Sequence, residues 1–453
     1  MMEEELQHTV ESIQSILETD DLSPLTGIVK DMRAPDVAEV MGSLPVEKRV
    51  TLFNALGNEL ASEVITILGE GSAKELLEKL PELKIVELIN LMASDDATDI
   101  INILPPEQGQ SVLRKISWEG YEYVRELLKF DEESAGGLMA REVMSVKGEM
   151  QIGEVIKELR TKAESIEHIQ NIYVVNSEGV LLGFIPIINL LVVEPEKRSE
   201  EVMTTDVVSV TADTDQEEVA TICAKYDLYS LPVVDERERL VGRITVDDII
   251  DVIEEEATED ITMMAGTGEE EFWERSPVKV SRARLPWLLT GLFGGITSAL
   301  VMSHFKSSFE SVLALAFFVP VITAMGGNVG IQSSAIVVRE LAVGAFTVVR
   351  TSGKLLRELK VSLINGFVLG TVLLVIVSLW QKDFRLGLLL GLCMLTIICW
   401  ATLMGAIVPL LLKRMNVDPA LATGPFITTS NDILGILIYL GIASLFLDWI
   451  GRG

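Results

Sequence analysis

Cysteine and histidine are scarce in this chain, three of each in 453 residues. Cys223 stands alone, and Cys393 and Cys399 fall inside an apolar run. Neither a disulfide framework nor a thiolate metal site has the residues it needs. His8, His168 and His304 are scattered, so no imidazole cluster is in prospect. No P-loop, no H-E-x-x-H and no serine or cysteine nucleophile motif with a plausible base occurs, and an enzymatic reading is set aside. The opening Met1-Met2-Glu3-Glu4-Glu5 has neither a basic n-region nor an apolar h-region, so no cleaved secretory signal is expected. Basic residues are also outnumbered: 37 Lys and Arg face 67 Asp and Glu, a net charge of −30. Nucleic acid and anionic surfaces are poor partners for such a chain, whereas metal cations are good ones.

What the chain does have is unevenly placed. From Leu285 onward eleven cations and seven anions leave +4, so residues 1–284 carry −34 of the total of −30. The basic-leaning part contains hydrophobic segments at about 286–304, 312–338, 361–380, 386–412 and 420–447. Each meets the ~20 residues of helix that a hydrocarbon core requires. Lys279, Arg282 and Arg284 precede the first; Arg339, Arg350, Lys354, Arg357 and Lys360 lie between the second and third; Lys413 and Arg414 lie between the fourth and fifth. The opposite side has only Lys306, Lys382, Arg385 and Arg452. The positive-inside rule therefore predicts a cytosolic N-terminal part, in a reducing compartment, and a C-terminus outside.

Two spans break the apolar pattern. The second contains Pro320 and then Gly326-Gly327-Asn328-Val329-Gly330-Ile331-Gln332-Ser333-Ser334. The fifth opens with Asp418-Pro419, carries Gly424-Pro425, and places Asp432 after Thr428-Thr429-Ser430-Asn431. Holding an ionised group at that depth costs at least ~2.5 kcal/mol, so it is expected to face a wet path or a partner. Broken backbone at membrane depth is tolerated under the same condition. One reading makes these spans a pore lining, with free carbonyls, Asn328, Thr428 and Asp432 around a cation. The other makes the glycines a close-packing surface with the polar groups bonded to a neighbouring helix. Gly366…Gly370 and Gly387…Gly391 are G-x-x-x-G matches and read as packing, with an intersubunit seam as one location. His304 reads as an interfacial residue.

Between residues 141 and 251 the sequence repeats at a constant offset of 59. Val143-Met144-Ser145 corresponds to Val202-Met203-Thr204, Val174-Val175-Asn176 to Val233-Val234-Asp235, and Leu182-Gly183-Phe184-Ile185 to Val241-Gly242-Arg243-Ile244. Each unit predicts a helix (Ile152–Arg160; Gln216–Tyr226), a β-branched strand, a polar turn, a second strand and a helix. This resembles a tandem pair of CBS motifs, the cystathionine-β-synthase-type regulatory module. Residues 1–130 predict helix throughout: Leu44-Pro45-Val46-Glu47, Leu80-Pro81-Glu82 and Leu104-Pro105-Pro106-Glu107 each pair a first-turn proline with an acid. Short helix pairs of this kind build an irregular superhelix. After the second repeat come Asp247, Asp248, Asp251, Glu254, Glu255, Glu256, Glu259 and Asp260. At helical spacing Asp247, Asp251, Glu254 or Glu255, and Glu259 share a face, which is either a solvated acidic surface or an oxygen-rich binder of hard divalent cations.

An acidic helical domain, a CBS pair, an acidic connecting helix and five spans, in that order, resemble the MgtE-type magnesium channel family over essentially the whole chain. The most specific motifs are Pro320…Gly326-Gly327-Asn328…Gln332-Ser333 and Asp418-Pro419-Ala420…Gly424-Pro425…Thr428-Thr429…Asp432…Gly435. The fold class implied is a multidomain membrane protein: an all-α superhelical domain (1–130), an α/β tandem CBS pair (137–252), a connecting or plug helix with linker (253–284) and a five-helix α transmembrane domain (285–453). The resemblance further implies a homodimer in a bacterial-type plasma (inner) membrane. Its second and fifth spans would line a pore, with Asp432 holding a largely hydrated Mg²⁺ and with Pro320, Gly327, Asn328, Gln332, Thr428, Thr429 and Gly435 around it. It implies closure by cytosolic Mg²⁺ on Asp95, Asp96 and Asp99 of the helical domain and on Asp247, Asp248, Asp251, Glu255, Glu256, Glu259 and Asp260. Some CBS pairs of the family bind adenine nucleotides. The competing expectation is an ion-coupled secondary divalent-cation transporter with the CBS pair as nucleotide sensor, since broken helices at mid-membrane also describe such proteins.

Overall fold

Prolines start the helices of the N-terminal region where the sequence predicts. A computed structural model of the chain describes residues 12–13, 15–17, 23–30, 32–163, 166, 168–267, 276–342, 348–415, 417–422 and 424–450. It begins with α1 (Ser23–Val29), α2 (Ala34–Gly42), α3 (Val46–Asn54), α4 (Asn58–Ile67), α5 (Glu70–Leu77), α6 (Glu82–Ile89), α7 (Ser94–Ile103), α8 (Pro106–Leu113) and α9 (Trp118–Leu127). Helices α3, α6 and α8 begin directly after Pro45, Pro81 and Pro105, with Glu47, Glu82 and Glu107 in their first turns. The leucine before each proline is buried. Each helix packs on the next but one, α2 on α4 on α6 on α8 and α3 on α5 on α7, which coils the string into a superhelix.

Arg49 pins this superhelix from within. Its guanidinium is fully buried and donates to the carbonyls of Met41 (3.1 Å), Leu44 (3.1 Å) and Ser72 (3.1 Å). It also meets Glu75 at 3.3 Å. Met41 lies in the last turn of α2 and Leu44 just beyond it, so the cation adds hydrogen bonds to carbonyls at the end of that helix.

The two repeats fold alike. In the first, β1 (Ser145–Lys147), α10 (Ile152–Lys162), β2 (Asn171–Val175) and β3 (Leu181–Pro186) form a three-stranded sheet, parallel then antiparallel. In the second, β4 (Val210–Thr211), α11 (Gln216–Tyr226), β5 (Ser230–Val234) and β6 (Leu240–Thr245) do the same. Even the irregularity recurs: the register shifts at Val174/Val175 and at Val233/Val234. The segment leading into each repeat lies across the sheet of the other, Thr204 bridging to Phe184 and Ala140 to Arg243. Gly183 and Gly242 make this crossing possible, because a Cβ there would stand 2.6 Å from the Thr204 oxygen and 2.9 Å from the Ala140 oxygen. Tyr173 and Ser230 share a buried hydrogen bond of 2.8 Å that ties β2 to β5. Burial pushes the Tyr173 phenol up to about 12.

The acidic run forms α12 (Val246–Ala265). The chain divides into two compact units, Met1–Ile253 and Glu254–Gly453. In the second unit are α13 (Pro277–His304), α14 (Ala314–Ala342), α15 (Val348–Trp380), α16 (Phe384–Arg414) and α17 (Pro425–Leu445). All five are long and apolar enough to cross a membrane. Helix α16 is the hub and packs on α14, α15 and α17. The G-x-x-x-G glycines lie where α15 meets α16: a Cβ on Gly391 would press on the Gly370 carbonyl, and one on Gly366 would stand 3.1 Å from the Leu395 Cα. That seam is within one chain, not between subunits. His304 closes α13, exposed and edge-on to Phe305.

Candidate functional site

The second span corrects one expectation. Helix α14 runs unbroken through Pro320 and the whole glycine-rich block, so that block offers no freed carbonyl ladder. Its glycines serve close packing instead. Gly326 lies against Ile397 and Asn431, Gly327 meets Thr428, and the Gly330 carbonyl abuts Gly405 of α16. The fifth span is interrupted at its start rather than at depth: a 3₁₀ turn at Pro419–Ala422 precedes Gly424, and Pro425 occupies the first helical turn. Proline fits there because the missing N–H would be unpaired in any case.

Asp432 follows two turns into α17, half-buried. Thr428 and Gly435 lie one turn to either side, on the same face. Thr428 Oγ1 donates to the Gly424 carbonyl at 2.7 Å, and its methyl lies 3.0 Å from where a Gly327 Cβ would stand. Thr429 fills the space over Gly294 of α13. Three further predicted pore residues, Pro320, Asn328 and Gln332, point outward from α14 at spacings of eight and four residues, on one face that a single chain leaves uncovered. The α17–α14 contact is locked deeper in the domain by Tyr439, whose hydroxyl donates to the Leu315 carbonyl at 2.8 Å. On the other side Ser333 Oγ donates to the Thr402 carbonyl at 3.1 Å.

The predicted regulatory acids separate into groups. At the start of α7, Asp95 comes close to Asp96, to Glu142 and to Asp248 at the start of α12, all within the first unit. Burial, then the Asp248 and Asp96 charges, hold the Asp95 carboxyl well above the usual carboxylate range. Asp248 is raised first by burial; hydrogen bonds from Thr245 oppose this, and Asp247 and Asp251 add to it. Thr245 donates to Asp248 Oδ2 from its N–H (3.1 Å) and its hydroxyl (2.7 Å). His168 Nε2 stands 3.9 Å from Asp247. Asp99 is exposed one turn beyond Asp95. Glu255, Glu256, Glu259 and Asp260 lie on the half of α12 that belongs to the second unit. Among the described residues no three His, Cys, Asp or Glu side chains converge as a ready metal site. A cation at Asp95 and Asp248 would therefore be held by two carboxylates and water. Donors made only of oxygen, charged and crowded together, fit a hard ion that keeps part of its hydration shell.

The far end of α12 meets the fifth span inside the second unit. A Cβ on Gly424 would stand 2.7 Å from the Met264 carbonyl oxygen, and Gly266 (φ +74°) is seated against Pro425 and Trp287. A separate cavity of about 340 Å³ opens beside β2 and β5, lined by Asn171, Phe184, Pro186, Asp227, Tyr229 and Ser230 among others.

Known proteins show the same plan. Residues 319–442 match the family described as MgtE, divalent cation transporter; residues 32–133 match the MgtE intracellular N domain; residues 135–195 and 199–255 match CBS domains. The chain is 41% identical over 327 residues, 72% of each protein, to the magnesium transporter MgtE of Thermus thermophilus. The chain belongs to the MgtE family. The Bacillus subtilis magnesium transporter MgtE is 37% identical, again over 72% of both chains. A crystal structure of the cytosolic domain of the Mg²⁺ channel MgtE in complex with ATP superposes with TM-score 0.52 at 34% identity, covering 54% of this chain and 99% of that one. The soluble part of another magnesium transporter superposes with TM-score 0.50 at 27% identity, covering 56% of this chain and 99% of that one.

Two residues of these clusters escape sequence reasoning. Glu142 accepts from the Ser94 hydroxyl at 2.7 Å and from the Ser94 N–H at 3.3 Å at the start of α7, yet it sits at the head of the first repeat, far along the chain. Nothing local signals that pairing. Asn431 is buried against Gly326 and Gly330, and its place in the polar run Thr428-Thr429-Ser430-Asn431-Asp432 marks the segment without singling it out.

Proposed function

We propose that this chain conducts Mg²⁺ passively into the cytosol of a bacterial-type cell across the plasma membrane. The pore lies between two copies, with the second and fifth spans of each lining it and Asp432 holding the hydrated ion. The observation that carries this reading is Asp432 itself, a half-buried carboxylate in a 21-residue apolar helix packed on the second span of an MgtE-family chain. The outward polar row of Asn328 and Gln332 supports a second copy, because such groups on an apolar span require a protein or aqueous surface rather than lipid. Mg²⁺ sheds water reluctantly, so one carboxylate per copy with neighbouring hydroxyls suits it.

Cytosolic Mg²⁺ closes the pore. At neutral pH the Asp95, Asp96, Asp248 and Glu142 group resists compaction unless a cation neutralises it. A ligand that prefers the compact arrangement shifts the population toward it. Helix α12 starts at this group and ends against the mouth of the fifth span, which is the element through which such a shift reaches the pore. Orientation with the N-terminus in the cytosol and the C-terminus outside follows from the loop charges.

The test is Mg²⁺ current through patches while cytosolic-face Mg²⁺ is stepped from micromolar to ~10 mM. Current at low Mg²⁺ that closes at high Mg²⁺, and that vanishes in Asp432→Asn, is the expected result. Undiminished current in Asp432→Asn would overturn the pore assignment. Uptake only under a proton or sodium gradient would instead favour the ion-coupled transporter.

An adenine nucleotide is the proposed occupant of the cavity beside β2 and β5. The ATP-bound cytosolic domain, 34% identical, supports this, as does a cavity of about 340 Å³ with aromatic, amide, hydroxyl and carboxylate groups on its wall. Calorimetry with ATP checks it, and Ser230→Trp should remove the heat.

A further inference from the structure

Asn431 is only 2% exposed, whereas Thr428, Thr429, Ser430 and Asp432 beside it on the same helix are partly exposed. Its Nδ2 donates to the Gly326 carbonyl at 3.3 Å and occupies the space where a side chain on Gly330 would project. Its Cβ lies 3.9 Å from the Cβ position of Gly326. The carboxamide is thus seated in a notch between two glycines one turn apart on the second span. Ile427, one turn earlier on the fifth span, closes the lower edge of the notch.

Folding alone does not ask for an amide here. Asn431 Oδ1 is buried with no hydrogen-bond partner among the described residues, and an unpaired buried acceptor opposes stability. A small apolar side chain would fill the notch without that cost. What the amide adds is direction: a hydrogen bond to one specified carbonyl sets both the rotation and the height of one helix on another, which dispersion contacts do only loosely. Asp432 is the next residue, 100° further round. A carboxylate ~6 Å from the helix axis swings by ~2 Å when the helix turns by ~20°. That exceeds the ~0.5 Å within which an ion site holds its geometry, and Mg²⁺ is strict about its octahedron.

We infer that Asn431 is a positioning residue for the ion site: latched into the Gly326–Gly330 notch, it sets the rotation of the fifth span and so the aim of Asp432. This rests on the reading that Asp432 holds the transported cation.

The experiment uses the full chain in liposomes with Mg²⁺ and Ca²⁺ flux measured by internal dyes, and with assembly checked for each variant. Asn431→Ala removes the latch. Asn431→Ser removes it while keeping a hydroxyl too short to reach Gly326, and covers the case in which the alanine variant does not assemble. Gly330→Ala displaces the amide without altering it. Each should raise the Mg²⁺ concentration for half-maximal flux by about tenfold and lower Mg²⁺ over Ca²⁺ discrimination several-fold. Asn431→Ala/Gly330→Ala combined should be no worse than the worse single change, because both act on one contact. Unchanged half-saturation and unchanged discrimination in Asn431→Ala or Asn431→Ser, with Asp432→Asn inactive, would overturn the inference and leave the pore intact. Full flux in Asp432→Asn would remove the underlying reading as well.

Discussion

Asp248→Asn isolates the cost of closing the cytosolic acid group. The carboxylate takes two hydrogen bonds from Thr245, and an asparagine oxygen can keep both. What disappears is the charge facing Asp95. Two carboxylates close enough to move each other's pKa, ~5 Å, repel by ~3 kcal/mol at an effective dielectric of ~20. Allowing for partial solvation leaves ~1–2 kcal/mol, a factor of about five to thirty in the open-to-closed equilibrium. In chelator at neutral pH the variant should therefore resist protease and heat better than the parent, by ~2–8 °C in unfolding midpoint for a unit of this size. Added Mg²⁺ should raise it less. The pH dependence follows from the same shift. Carboxyls whose folded pKa is raised bind more protons in the compact state, so their contribution is complete below the usual carboxylate range and is lost as pH rises through the raised values. Mild acid should thus partly replace Mg²⁺ in the parent and do less in the variant. A Mg²⁺-dependent gain as large in Asp248→Asn as in the parent would refute the assignment of this pair as a sensor.

Other consequences are more local. Arg49→Met should destabilise the helical domain by ~3–5 kcal/mol, since it removes the guanidinium's hydrogen bonds to three carbonyls and its ion pair; thermal unfolding of the full chain measures it, and a loss below 1 kcal/mol would contradict the role given to this guanidinium. Gly424→Ala places a methyl against the Met264 carbonyl and must displace the end of α12 from the fifth span. Conduction should persist while the cytosolic Mg²⁺ needed for half-closure rises; an unchanged closing curve would show that this contact does not transmit. Cys223, its thiol pushed up to about 11 by burial, should resist alkylation at neutral pH until the CBS pair unfolds, as mass spectrometry with a thiol reagent would reveal.

Much of the architecture was legible in the sequence because it rests on local chemistry. Five apolar runs of helix length became five long helices. Prolines 45, 81 and 105 stand at helix N-caps, where a fixed φ is tolerated and a missing N–H leaves no intrahelical bond unmade. The 59-residue repeat reproduced itself down to the register shift in each sheet, because identical patterns of β-branched and glycine residues meet identical neighbours. Asp432 stood out for the same reason, a charge inside an apolar run of helix length.

Only the tertiary structure decided which distant groups meet. Glycine in the second span reads equally as a break or as a packing surface, and helix α16 made it the latter by laying Gly405 on Gly330. The G-x-x-x-G pairs could serve any seam, and the fold used them between α15 and α16. Asp95, Glu142 and Asp248 carry no mutual signal along the chain, yet the helical domain and the CBS pair bring them together, and burial raises the Asp95 and Asp248 carboxyls above the usual range. Asn431 is polar in sequence, but its latch exists only because two glycines of another helix leave room for it. Periodicity and covalent preference act over one or two turns, so the chain alone specifies elements; burial, repulsion and fit depend on what faces them, and those belong to the fold.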